Sequence, residues 1–104
     1  MGKTVLSEDG RFEWDEDKNE INKNKHGISF EEITDVFDDP YFLVRYDKKH
    51  SIQKDRWNGV GCLNGLLVLV TTFTERERIR IISAQKADNN LKEVYYDYIK
   101  KING

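Results

Sequence analysis

Apolar residues recur along the chain with two different periods, and the changes of period mark out its elements. Phe30, Ile33, Val36 and Phe37 fall three and four apart, one face of a short helix. Ser29 and Glu32 have the reciprocal spacing of a capping box at its start, and Asp38, Asp39 and Pro40 end it. Upstream, Phe12 to Trp14 is a short extended piece. Asp15 then caps a helix that runs through about Lys25 and stops at Gly27, a residue suited to a left-handed helix end. Apolar marks on that helix are sparse. From Tyr41 onward the pattern shortens to that of strands: Tyr41 to Asp47, Arg56 to Leu63, Leu66 to Thr74, and residues 78–84. Asn64 and Gly65 supply a two-residue hairpin turn, and Glu75 to Glu77 the next turn. The unbroken apolar run of the third of these strands predicts a central position or cover on both faces. Leu91, Val94, Tyr95, Tyr98, Ile99 and Ile102 return to helical spacing and predict an amphipathic C-terminal helix.

The order is a short strand, two helices, a four-strand meander and a last helix. It predicts an α+β fold in which one antiparallel sheet packs against two N-terminal helices and a C-terminal one. At 104 residues, 38% of them hydrophobic, the chain has no room for a second core. We expect one domain over residues 11–104, with residues 1–10 a loose lead-in. No repeat, low-complexity tract or linker divides it.

The single cysteine, Cys62, has no partner within the chain, and no segment has the build of a signal peptide or the length of a membrane span. The opening MGKTVLS has Leu6 where a myristoylation signal needs Ser or Thr. These features place the chain in the cytoplasm.

The formal net charge of −2 looks wrong for a nucleic-acid binder until it is divided along the chain. Residues 1–40 carry a net −7 and residues 41–104 a net +5, so a basic face exists within an acidic protein. The acidic stretch from Glu8 to Glu20 reads as a solvated face or as a surface for a basic partner.

Several chemistries lack their parts. His26 and His50 are the only histidines, and no HxxxH, CxxC or acidic–histidine cluster has ligand spacing, so neither a metal nor another cofactor is expected. There is no G-x-S-x-G elbow, and Cys62 lies in a strand as a small buried hydrophobe would. The glycines of GVGCLNG are spaced as a strand plus hairpin, not as a phosphate loop. What remains is Arg, Lys, His, Ser and Tyr on the basic second half, a set able to hold and cleave RNA without metal. The RNA 2′-hydroxyl supplies the nucleophile; the protein has to take its proton, protonate the departing 5′-oxygen and stabilise the phosphorane.

The segment FEWDEDKNEINKNKHGISFEEITDVFDDP, the His50 and Arg56-WNGVG segment, and LLVLVTTFTERERIRIISAQKA together resemble the BrnT family of type II toxins. The likeness spans residues 12–98 and rests on four blocks in one order: KHG-x-SFEE, VFDDP, the TER turn and RIISA-x-KA. The resemblance implies a RelE-like ribonuclease toxin, metal-free RNA cleavage and arrest of translation. It also implies a ribbon-helix-helix antitoxin, like BrnA, that neutralises the toxin in a hetero-oligomer and represses their operon on operator DNA. One position departs from the family block, which commonly carries Arg or Lys twice: here Gln85 precedes Lys86. That departure leaves open a weakened toxin, or a degenerate, non-catalytic module acting in transcriptional control.

The resulting expectation for catalysis is Arg80, Lys86, His26 and Ser83, and for RNA binding Lys25, His50, Arg56, Arg76, Arg78 and Tyr96. Each has a plainer alternative. Arg78 and Arg80 alternate with Ile79 and Ile81 on one strand face, where arginine is commonly solvated or ion-paired. Ser83 and Lys86 suit a strand-to-helix junction as loop or capping residues. His26 falls in the last turn of the first helix, where a cation favours the dipole, yet imidazole is also the side chain suited to proton transfer near neutrality. His50 lies in the polar KKHSIQK stretch, and Arg56 either binds phosphate or pairs with Asp55 or Glu75. Tyr95 fits the apolar stripe of the last helix and Tyr96 diverges from it by ~100°. Trp14 and Trp57 are assigned to the core rather than to base stacking.

Overall fold

In the computed structural model, which describes residues 2–104, Asp15 is extended and its carboxylate accepts from the backbone N–H groups of Asp17 and Lys18 at 2.9 and 3.2 Å. It thereby starts helix α1 (Glu16–His26), which Gly27 ends in the left-handed conformation at φ 69°. Those N–H bonds, from Lys18 first, hold the Asp15 carboxyl below the usual carboxylate range. The capping box is present: the Ser29 hydroxyl and Glu32 backbone N–H bond, and the Glu32 carboxylate reaches back to Ser29 N–H, opening α2 (Phe30–Val36).

The strands are β1 (Thr4–Leu6), β2 (Phe12–Asp15), β3 (Leu43–Tyr46), β4 (Trp57–Leu63), β5 (Leu67–Glu75) and β6 (Ile79–Lys86), and α3 (Asn89–Asn103) closes the chain. They form one sheet in the order β1-β2-β6-β5-β4-β3. The predicted hairpin joins β4 and β5, but through three residues where two were expected: Leu63 is opposite Leu67, so Leu66 joins Asn64 and Gly65, both at positive φ, in the turn. As the apolar run required, β5 is interior: Leu69 faces one core, Val68 and Val70 the other.

The structure departs further from the sequence reading. The sheet is mixed, not antiparallel, because β2 runs parallel to β6 with Phe12, Glu13 and Trp14 opposite Ile79, Arg80 and Ile81. Periodicity locates strands but carries nothing about the direction of a pairing between segments this far apart. Residues 4–6 form an edge strand antiparallel to β2 where a loose lead-in was expected; Gly10 at φ 73° and the bonds of Ser7 and Asp9 make the turn between them. The helices lie on both faces: α1 and α2 cover one, with Phe12, Phe30, Ile33 and Ile81 buried beneath, while α3 packs Tyr95 and Leu91 on Val60, Val68 and Val70 of the other. The strand expected over residues 41–47 contracts to 43–46, and the fourth strand of the meander extends to Lys86.

Helix α1 explains its own sparse apolar pattern. It buries Asn19 and Asn22, whereas Ile21 is 63% exposed. Asn19 accepts from the Phe30 N–H at 2.8 Å and donates to Glu31; Asn22 donates to the Ile28 carbonyl at 2.9 Å and accepts from the Ala84 N–H at 3.1 Å. The helix is tied down by hydrogen bonds that a hydrophobicity pattern does not register. Two glycines of β4 have a similar packing reason: a Cβ on Gly59 would lie 2.1 Å from the Phe42 ring, and one on Gly61 2.7 Å from Val36.

Opposite the bond between Thr72 and Phe73, β6 contains one extra residue, since Thr72 pairs with Ser83 and Phe73 with Ile81. This bulge at Ile82 breaks the strand's alternation. Ile79, Ile81 and Ala84 all face the α1–α2 core, so Arg80, Ser83 and Gln85 share the other face, and Lys86, paired with Leu69, falls on the α1 side.

Asn22→Ala should leave the buried Ile28 carbonyl and Ala84 N–H without partners and cost about 1–3 kcal/mol. Urea unfolding measures this, with Ile21→Ala changing stability by less than about 0.5 kcal/mol.

Candidate functional site

On the sheet face opposite α1 and α2, a polar row crosses four strands in register: Arg45 is opposite Asn58, Asn58 opposite Thr72, and Thr72 opposite Ser83. Helix α3 covers the apolar end of this face, and the polar row stays open beside it. Above the row is a groove of about 380 Å³ lined by Asp47, His50, Arg56, Asn58, Thr72, Ile82, Ser83 and Gln85, with Val70 and Leu91 on the α3 side.

One wall comes from the loop between β3 and β4. Its base is closed by the Asp47 N–H donating to the Arg56 carbonyl at 2.9 Å, and by the Ser51 hydroxyl, which donates to the Asp47 carbonyl and accepts from the Arg56 N–H. Residues Lys48–His50 make a single 3₁₀ turn capped by the Asp47 side chain. That turn brings His50 back so that its Nδ1 lies 2.9 and 3.0 Å from the two Asp47 carboxylate oxygens. A carboxylate only accepts, so Nδ1 carries the proton and Nε2 of the neutral ring keeps its lone pair. Burial pushes the Asp47 carboxyl up, but hydrogen bonds from His50 and Asn58 outweigh it and hold the carboxyl below its ordinary range. His50 itself is 59% exposed and Asp47 only 11%, the disposition of a reactive ring backed by a shielded anion.

Arg56 completes the wall. Neither Asp55 nor Glu75 pairs with it: Asp55 accepts the Tyr46 hydroxyl at 2.9 Å, and among the described residues Arg56 has no ion pair. Its guanidinium is therefore available to an anion.

Of the ten residues expected from sequence, the structure brings His50, Arg56 and Ser83 together. Arg80 is on the same face two residues along from this row, ~7 Å by strand geometry, and is ion-paired with Glu13 on the neighbouring β2. Arg76 stands in the β5–β6 turn, where it lines a second groove with Lys54 and the tip of the 51–55 loop. The Arg78 Nε–H donates to the Gly10 carbonyl at 3.1 Å and ties the β1–β2 turn to β6. Tyr96 is exposed on α3, and Tyr95 is buried with its hydroxyl donating to Asp39. Lys25 and His26 end α1, and Lys86 ends β6 on that same side of the sheet, away from His50.

Asp47, Asn58 and Thr72 were missed from sequence. The D-x-x-H spacing of Asp47 and His50 is the one local signal available for them; Asn58 and Thr72 meet His50 only through strand register. Gln85, singled out in sequence as a departure from a basic block, lies in the groove itself.

Residues 14–90 match the family described as "Ribonuclease toxin, BrnT, of type II toxin-antitoxin system". This is a toxin of a two-component system, a class in which a cognate antitoxin accompanies the toxin. The chain belongs to the BrnT family of ribonuclease toxins. Among solved structures it is similar to the Brucella abortus ribonuclease toxin BrnT, at 29% identity and a TM-score of 0.61 over 73% of this chain and 94% of that one. No protein of curated function matches it.

The Asp47–His50 contact makes a pH prediction. A carboxyl held below its unfolded value contributes stability above about pH 4, and that contribution is lost as pH falls through the lowered value. Asp47→Asn should remove it, so that the variant loses less stability than the parent between about pH 5 and pH 2, read by thermal unfolding across that range.

Proposed function

We propose that this chain is a metal-independent endoribonuclease on a RelE-like scaffold, acting on mRNA in the cytoplasm to stop translation. The observation that carries the proposal is the meeting of His50, backed by Asp47, with the unpaired Arg56 in one groove. None of the described helices is long and apolar enough to cross a membrane.

In the proposed step, His50 Nε2 takes the proton of an RNA 2′-hydroxyl, and that oxygen attacks the adjacent phosphorus. The bond from phosphorus to the 5′-oxygen breaks, leaving a 2′,3′-cyclic phosphate, while the departing oxygen gains a proton from water. Arg56 holds two non-bridging oxygens as negative charge builds on the phosphorane, and Ser83 and Gln85 donate from the sheet floor. Arg80, exchanging Glu13 for a phosphate, is the second cation along the strand, and Arg76, Lys54 and Tyr96 extend the contact to flanking nucleotides. Lys25, His26 and Lys86 stand outside this step. The partner is a ribbon-helix-helix antitoxin of the BrnA kind, which neutralises the toxin and with it represses their operon on DNA.

Purified protein should cut RNA in EDTA to products ending in 2′,3′-cyclic phosphate. His50→Ala and Arg56→Ala should each slow cleavage by about 10²–10³-fold with the fold retained by circular dichroism. Intact RNA with folded protein, or an undiminished His50→Ala, overturns the proposal.

Gln85 in the groove favours a second reading, a non-catalytic module that works through its antitoxin and DNA. Inducing the chain alone separates the two, since only the nuclease arrests growth. For the nuclease, Gln85→Arg should tighten RNA binding by about tenfold at low salt, and the gain should shrink as salt rises.

A further inference from the structure

The Asp47–His50 pair belongs to the loop between β3 and β4, outside the sheet. The Thr72 hydroxyl, on the interior strand β5, donates to Asn58 Oδ1 at 2.7 Å. That bond occupies the amide oxygen and leaves the Nδ2 donors of Asn58 for Asp47, which lines the same groove and whose carboxyl the Asn58 amide helps hold below its ordinary range. Thr72 is itself held between Asn58 and Ser83 by pairing on both sides. A hydrogen-bonded chain therefore runs outward from the middle of the sheet: Thr72 donates to Asn58, Asn58 donates to Asp47, and Asp47 also accepts from His50. We propose that Asn58 is a positioning residue which, braced by Thr72, fixes the Asp47 carboxylate so that His50 keeps its proton on Nδ1 and its lone pair on Nε2. This rests on the assignment of His50 as the base in RNA cleavage.

The physical need is specific. Asp47 already accepts from His50 N–H at 3.3 Å and from His50 Nδ1, both within one turn of backbone. Nothing in that turn sets the carboxylate plane against the sheet on which the RNA would rest. An amide donor from the sheet supplies the reference, much as an outer partner orients a ligand or a catalytic imidazole. The other charges around His50 are Lys48 and Lys49 on its own turn, Lys54 and Arg56 on the loop, and Arg45 from β3. They are unchanged when Asn58 is altered, so their influence on the ring is common to all variants.

The test uses the ¹⁵N shifts of the His50 ring in the full chain, which report the tautomer without reference to activity, beside the pH profile of RNA cleavage in EDTA. The parent should hold the Nδ1–H tautomer whenever the ring is neutral. Asn58→Ala should move the ring toward the mixture of Nδ1–H and Nε2–H tautomers of a free histidine side chain and slow cleavage by about 10–100-fold. Thr72→Val, which keeps the shape of the side chain, should do the same to a smaller degree, with Thr72→Ser restoring the parent tautomer. An unchanged ring in both Asn58→Ala and Thr72→Val overturns the proposal. A ring that shifts as expected while no variant or parent cleaves RNA supports the positioning role and overturns the nuclease assignment.

Discussion

The structure depends on how the long inner strands are completed where their short neighbours end. Strand β2 pairs with β6 only as far as Ile81, and β3 with β4 only as far as Val60. Beyond those points the backbone N–H groups of Ala84 and Cys62 face positions with no strand, and a buried unpaired N–H is costly. Side chains take them: Asn22 Oδ1 accepts from Ala84, and Asp39 Oδ2 accepts from Cys62 at 2.8 Å. Each of these acceptors also ties in a further element. Asn22 fixes α1 to the Ile28 carbonyl, and Asp39 accepts the Tyr41 N–H and the Tyr95 hydroxyl, joining the α2–β3 turn to α3. Burial first, and then the Asp39 carboxylate, push the Tyr95 hydroxyl well above its ordinary range, so it remains a donor.

This economy is what leaves a site. Because α3 is pinned through Tyr95 to one end of the sheet, it covers Val60, Val68 and Val70 but not the row from Arg45 to Ser83. The bulge at Ile82 then places Ser83 and Gln85 on that open face. A strand that kept strict alternation from Arg80 would have turned Ser83 into the α1–α2 core and presented Lys86 instead. The bulge thus selects which polar residues of the RIRIISAQKA segment meet the groove.

Charge is arranged to match. Acidic residues are committed locally, with Asp55 on Tyr46, Glu13 on Arg80 and Asp47 on His50, and Arg56 is left without a counter-charge. A phosphate entering the groove meets a guanidinium that has no partner to give up, which favours binding there over the Arg80 position, where Glu13 has first to be displaced.

The linear pattern determined what is local. Asp15, Gly27, the Ser29–Glu32 box and Asn64-Gly65 act over two to four residues, so their capping and turn geometry is legible in the sequence, as are the apolar stripe of α3 and the interior place of β5. The family blocks, likewise contiguous, identified the class of toxin. Tertiary structure alone decided the parallel pairing of β2 with β6, the strand at residues 4–6, the face taken by α3 and the bulge. Pairing direction and face depend on contacts between segments tens of residues apart, and no local period encodes them. The candidate site divides along the same line. His50, Arg56 and Ser83 were visible as chemistry, but Asn58 and Thr72 became part of it only when strand register set them side by side, and Lys25, His26 and Lys86 were carried to the other side of the sheet.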